Sequence, residues 1–195
     1  LTGVASHDRP LMHRMGAIDA PYNPPGHRYL VLQDIGGQTR RGVILSATTR
    51  FVSYAGVVRA LDAFVDGYHA TQRANAPMLL AVGTNNDGLV SSWAGRTWAR
   101  AVVNPVRAYA AKYANIHVVG ADDMEPGFLA GFSATRAWLS GYLSATSARF
   151  VFNGSGNRFG GQQLPVGRWG RVQRLCGRPD PHLGGKCGYR FCTVD

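Results

Sequence analysis

The chain has 195 residues, 45% of them hydrophobic, which is enough apolar material to bury a core and excludes global disorder. No apolar run approaches the roughly 18 residues of a membrane span, and three cysteines, all within the last 20 residues, are too few for a disulfide scaffold. The net charge is +10, from 21 Lys+Arg against 11 Asp+Glu, and all but Lys112 and Lys186 of the basic residues are arginine.

Residues 1–28 carry Pro10, Pro21, Pro24 and Pro25, a density that opposes helix and predicts an irregular lead-in. Tyr29-Leu30-Val31-Leu32 then reads as a buried strand that closes at Asp34 before Gly36-Gly37. Tyr54, Val57, Val58, Leu61, Phe64, Val65 and Tyr68 recur at three- and four-residue steps, which predicts a helix with Ser53 as its N-cap. Met78–Gly83 is a second strand, running into Thr84-Asn85-Asn86-Asp87-Gly88. Trp98, Val102, Val106, Tyr109 and Tyr113 mark a second helix, which Pro105 should kink or split. Ile116–Ala121 is a third strand, followed by Asp122-Asp123-Met124-Glu125-Pro126, and Phe128, Phe132, Arg136, Leu139 and Leu143 mark a third helix. A fourth strand, 149–153, runs into Gly154-Ser155-Gly156-Asn157.

Strand starts are therefore 49, 38 and 33 residues apart with helices between, the spacing of βα units in a parallel sheet. The fold class predicted is α/β: either an open doubly wound sheet or part of a (β/α)8 barrel, for which this chain supplies about half the usual length. The pattern ends at Asn157. The sequence thus divides into a βα-repeat unit, 1–157, and an irregular tail, 158–195, rich in Arg, Gly and Cys. The tail carries 7 basic and 2 acidic residues. The first residue is Leu, not Met, which leads us to expect an upstream segment.

In parallel α/β folds the site lies at the carboxyl ends of the strands. Here those ends hold Asp34; Asn85 and Asn86; Asp122, Asp123 and Glu125; and Asn153. Turns also favour Asn and Asp, so loop chemistry explains any one of these ends, while four polar ends together favour an active face. The triplet Asp123-Met124-Glu125 is the sharpest element. In extended backbone, residues two apart share one side, and two converging carboxyl groups are what glycoside cleavage needs. The same triplet before Pro126 also suits the start of a helix, where acidic residues meet the positive end of the dipole. Trp98 and Trp138, at helical spacing, read as packing residues more than as sugar-stacking platforms. No zinc spacing, nucleophile elbow or phosphate loop is present, and no cofactor is expected.

Four segments in this order, Gln33-Asp34-Ile35-Gly36-Gly37-Gln38, Ala81-Val82-Gly83-Thr84-Asn85-Asn86, Gly120-Ala121-Asp122-Asp123-Met124-Glu125-Pro126 and Thr135-Arg136-Ala137-Trp138-Leu139-Ser140-Gly141-Tyr142, resemble a group of uncharacterised secreted actinobacterial proteins that are similar to glycoside-hydrolase-type TIM barrels. The resemblance covers roughly residues 28–157. It implies a barrel-type fold, a secreted or cell-envelope protein, and a polysaccharide or cell-wall glycan as partner. The departure is the tail, where the later barrel strands are missing.

Two functional readings follow. In the first, a glycoside-hydrolase-like protein uses Glu125 as general acid and Asp123 as its partner, with Asp34, Asn85, Asn86, Asp122 and Asn153 holding substrate. In the second, the arginines bind a polyanion, nucleic acid or anionic wall polymer, without catalysis. Glycan ranks above nucleic acid because no nucleic-acid module is recognisable and the basic residues are spread along the chain. A truncated homologue without activity is the third reading. The arginine excess itself has a second explanation, the codon usage of a GC-rich genome. In an exported protein Cys187 and Cys192 are the expected disulfide pair, since Gly188 allows a tight loop between them, leaving Cys176 over.

Overall fold

The computed structural model describes residues 1–26, 28–45, 49–74, 76–85, 87–124, 131–154, 172–176 and 190–191. The chain begins with a helix, α1 (Ala5–Asp19), and a 3-10 turn (Ala20–Tyr22), where the prolines had predicted an irregular lead-in. Asp8 accounts for the start of α1. Its buried carboxyl accepts hydrogen bonds from the Thr2 backbone N–H (2.5 Å), the Thr2 hydroxyl (2.9 Å) and the Gly3 N–H (3.0 Å). These fold the leader onto the first turn, and the negative charge suits that end of the helix dipole. Asp8, Met12 and Gly16 are the buried residues of α1, a stripe one residue wide.

Strand β1 (Tyr29–Gln38) continues through Gly36-Gly37 rather than ending at Asp34. A bulge between Asp34 and Gly37 makes this possible: Gly36 adopts φ +122°, and its N–H donates to Asp34 Oδ1 at 3.1 Å. Two short antiparallel strands, β2 (Gly42–Ile44) and β3 (Phe51–Ser53), then pair outward from the end of β1. Helix α2 (Tyr54–Thr71) follows at once, with the Ser53 hydroxyl accepting from the Gly56 N–H at 3.2 Å, the predicted N-cap.

The remaining strands and helices alternate as expected. They are β4 (Met78–Asn85), α3 (Ser92–Trp98), α4 (Asn104–Ala110), β5 (Ile116–Met124), α5 (Phe132–Ala145) and β6 (Phe150–Gly154). A π segment, Ala99–Val103, joins α3 to α4. Pro105 lies just after it: the widened turn relieves the proline ring of its clash with the preceding carbonyl, and the helix runs on.

Strands β1, β4, β5 and β6 are parallel and adjacent, in chain order. Two further short strands, β7 (Val172–Cys176) and β8 (Arg190–Phe191), extend the order beyond β6, the first parallel to it and the second antiparallel. The expected irregular tail therefore contains two short strands that the composition of 158–195 did not reveal. Cys187 and Cys192, the predicted pair, lie outside the described residues. Among the described strands the parallel ones keep their chain order, without the reversal that makes a topological switch point of the doubly wound kind.

One apolar core joins the helices to one face of this mostly parallel sheet. Met78, Leu80 and Val82 of β4, Ile116 and Val118 of β5 and Phe150 of β6 pack there with Leu61, Phe64, Trp98, Val102, Trp138 and Tyr142. A smaller cluster, Leu79, Ala81, Val119, Ala121 and Val151, occupies the alternate positions of the same strands. Two helix contacts are made backbone to backbone. A Cβ on Gly16 would overlap the Phe64 carbonyl and one on Gly67 the His13 carbonyl, where α1 crosses α2. Gly95 and Gly141 stand in the same reciprocal relation to the Trp138 and Ser92 carbonyls, where α3 crosses α5.

Candidate functional site

The strands bring most of the polar ends together because they are in register. Asn85 of β4 is the Cα partner of Asp123 on β5, and Asp123 is the partner of Asn153 on β6. One pleat earlier, Asp34 of β1 aligns with Gly83 and, through it, Ala121. Residues aligned across parallel strands share a face, so Asp34, Asn85 and Asp123 stand above the small side of Gly83 and Ala121.

Asp122 lies on the other face, aligned with Thr84. It is 0% exposed, and neither carboxyl oxygen has a hydrogen-bond partner of good geometry; only the Asp123 backbone N–H lies near enough to favour its charged form slightly. Burial pushes its pKa well above the usual carboxylate range, and the Asp34 and Asp123 charges push it further. Asp34 is exposed to solvent, yet the protein packed close beneath it raises its pKa as well. The Gly36 N–H and the Asn85 side-chain amide donate to that carboxyl and oppose the shift. Asn85 is fixed in turn, because its Oδ1 accepts from the Asp87 N–H at 3.1 Å.

Behind the carboxyl groups the helix side of the sheet is braced by polar side chains. The Thr84 hydroxyl donates to the Gly36 carbonyl at 2.7 Å, tying the end of β4 to the bulge in β1. The Trp98 indole N–H donates to the Val82 carbonyl at 3.1 Å. Trp138 stacks on Tyr142, with ring centroids 5.7 Å apart, and both rings rest against Phe150. Trp98 and Trp138 are thus packing residues, as their spacing predicted, whereas Trp93 is 49% exposed.

Of the residues singled out in the sequence, Asp34, Asn85 and Asp123 come together on one face, with Asn153 at the matching position of β6. Asp122 belongs to the same strand end but to the opposite side. Glu125 and Asn86 lie outside the described residues. Sequence reasoning missed Gln38, a buried amide at the end of β1 that holds three helices; its only signal was a glutamine closing a glycine-rich strand end. Among the described residues no group of His, Cys, Asp and Glu is arranged to hold a metal ion, and no helix is long and apolar enough to cross a membrane. Comparison with family models, curated proteins and solved structures finds no match.

Proposed function

We propose that the protein is glycoside-hydrolase-like and acts on, or binds, a polysaccharide through carboxylate acid–base chemistry at the carboxyl ends of β1, β4 and β5. The sequential order of parallel strands, with helices packed on one face, supports a barrel-type ancestry for this sheet. The observation that carries the reading is the shared face of Asp34 and Asp123, which the strand register brings together with Asn85. Asp122, on the other face of the same strand end, has its proton affinity raised first by burial and then by the charges of Asp34 and Asp123.

Glycoside cleavage needs one carboxyl that still holds a proton near neutral pH and another that is ionised. The acid protonates the leaving glycosidic oxygen. Water adds to the anomeric carbon, and the ionised partner takes up a proton or holds the charge. In this reading Glu125 and Asp123 form the working pair. Asp34, Asn85, Asn86 and Asn153 hold sugar hydroxyls, and Asp122, too deep to touch a polymer, lies behind them with its proton affinity raised. The reading carries with it an extracytoplasmic setting, where cell-wall glycan is the substrate.

The test is a screen of the intact chain on chitin, peptidoglycan and β-glucans, followed by Glu125→Gln and Asp123→Asn. Each substitution should lower turnover by about 10²–10⁴-fold while glycan binding persists. Cleavage of no glycan, or full activity in both variants, would overturn the proposal.

A second reading, polyanion binding without catalysis, is favoured by the net charge of +10 and by the lack of ion-paired arginines among the described residues, where the ion pair found is Lys112–Asp66. It requires anionic-polymer binding with a steep salt dependence and no turnover.

A further inference from the structure

At the end of the sheet away from the carboxylates, the starts of β4 and β5 and the turn into β6 border an open cleft of about 450 Å³. Its polar lining is Arg28, Arg107, His117, Ser147 and Arg149, and its apolar lining includes Leu79, Ile116 and Val119. No Asp or Glu is among its described lining residues, and none of the three arginines forms an ion pair with a described carboxylate.

The basic groups come from four separate segments: the residue before β1, the last turn of α4, β5, and the residue before β6. The backbone holds them in place. The Tyr29 N–H donates to the Pro77 carbonyl at 3.0 Å, which pins the chain next to Arg28. The Arg149 carbonyl accepts from the Gly120 N–H at 3.0 Å and from the Tyr142 hydroxyl at 3.2 Å. Arg107 donates from Nη1 to the Ser147 hydroxyl at 2.9 Å, which orients its guanidinium.

Three permanent positive charges around one cleft, with no carboxylate among its described lining residues, favour an anion between them. A carboxylate is planar and is satisfied by a single guanidinium fork. A phosphoryl group is tetrahedral, carries close to two charges, and accepts forks from several directions at once. We infer that this cleft is a phosphate-binding site for a ligand carrying two or more negative charges. The apolar lining takes the uncharged part of that ligand. The site is independent of the carboxylate chemistry at the other end of the strands.

The experiment is calorimetric titration of the full chain with inorganic pyrophosphate and, separately, with a poly(glycerol phosphate) chain, at low and moderate salt. Saturable binding of one or both is expected. Tighter binding of the polymer identifies a phosphodiester source, and binding of pyrophosphate alone identifies a small free ligand. Arg28→Gln with Arg149→Gln should weaken binding about tenfold, and the double Glu variant about a hundredfold, at unchanged thermal midpoint. Both arginines are exposed, so the fold tolerates the change. Arg136→Glu, on the exposed side of α5, should bind like the wild type. Absence of saturable binding to either probe, or equal loss in the Arg136 control, would overturn the assignment.

Discussion

The indole N–H of Trp138 donates to the side-chain carbonyl of Gln38 at 2.9 Å, joining α5 to the end of β1 across 100 residues of sequence. The amide nitrogen of the same Gln38, which is 1% exposed, donates to the Ala94 carbonyl at 2.8 Å and to the Tyr54 hydroxyl at 3.0 Å. One buried side chain thus fastens α2, α3 and α5 to the strand that carries Asp34. Because Gln38 and Trp138 are buried, each of these bonds is expensive to leave unmade.

Trp138→Phe should therefore cost about 1–3 kcal/mol, because it leaves the Gln38 oxygen buried without a donor. Gln38→Leu should cost more, since it removes the acceptor for Trp138 and both donors at once. Urea denaturation at neutral pH measures both. Wild-type stability in either variant would show that the amide is not a structural hub.

Asp122 makes stability depend on pH in a defined direction. Its folded pKa is raised above the unfolded value of about 3.9. The native state then holds the proton more tightly, so the contribution is full below about pH 4 and is lost as pH rises through the folded pKa. Asp122→Asn, neutral at every pH, should melt above the wild type at pH 8 and converge with it near pH 4. A shift of about 2–4 °C corresponds to each kcal/mol in a chain of this size. Identical melting at pH 8 would mean that the carboxyl is ionised at no cost.

A second carboxyl acts in a lower window. Burial pushes Asp62 of α2 up to about 6, and the neighbouring Asp66 charge adds to this, against Lys112 and Arg9. Asp66 is itself held ionised: burial works against its charge, but hydrogen bonds from Tyr109 (2.6 Å), Tyr113 (2.8 Å) and Lys112 (3.2 Å) prevail. Asp62 stands one turn away, and its Oδ1 has no partner. Wild-type stability should fall as pH rises from about 4 to 6, by on the order of 1 kcal/mol once solvent screening is allowed for. Asp62→Asn should flatten that slope, as read from thermal midpoints taken at half-unit pH steps.

The starts of the parallel strands were legible because apolar runs mark them: Tyr29, Met78 and Ile116 begin β1, β4 and β5, and β6 begins one residue later than expected. Their ends were not, because Thr84, Asn85, Asp122 and Asp123 continue the ladder while looking like turn residues. Helix α1 was hidden twice over, by its proline and by a buried stripe of Asp8, Met12 and Gly16 with little apolar signal. The alternation of the sheet separated Asp122 from Asp123, a distinction that adjacency in sequence conceals. The packing roles of Trp98 and Trp138 were legible from spacing alone, but their indole hydrogen bonds were not, because the acceptors are a backbone carbonyl of β4 and a side chain 100 residues away on β1.

The reciprocal glycines give each helix crossing two fixed points rather than one. A single close approach lets two rods pivot about it; a pair on both rods fixes distance and angle together. Helix α3 can therefore neither roll on α5 nor slide along it without driving a backbone into a backbone, and α1 is bound to α2 in the same way. A displacement at Ser92 reaches Trp138 without slack. The carboxyl-bearing edge of the sheet thus rests on a plate that shifts as a whole or not at all.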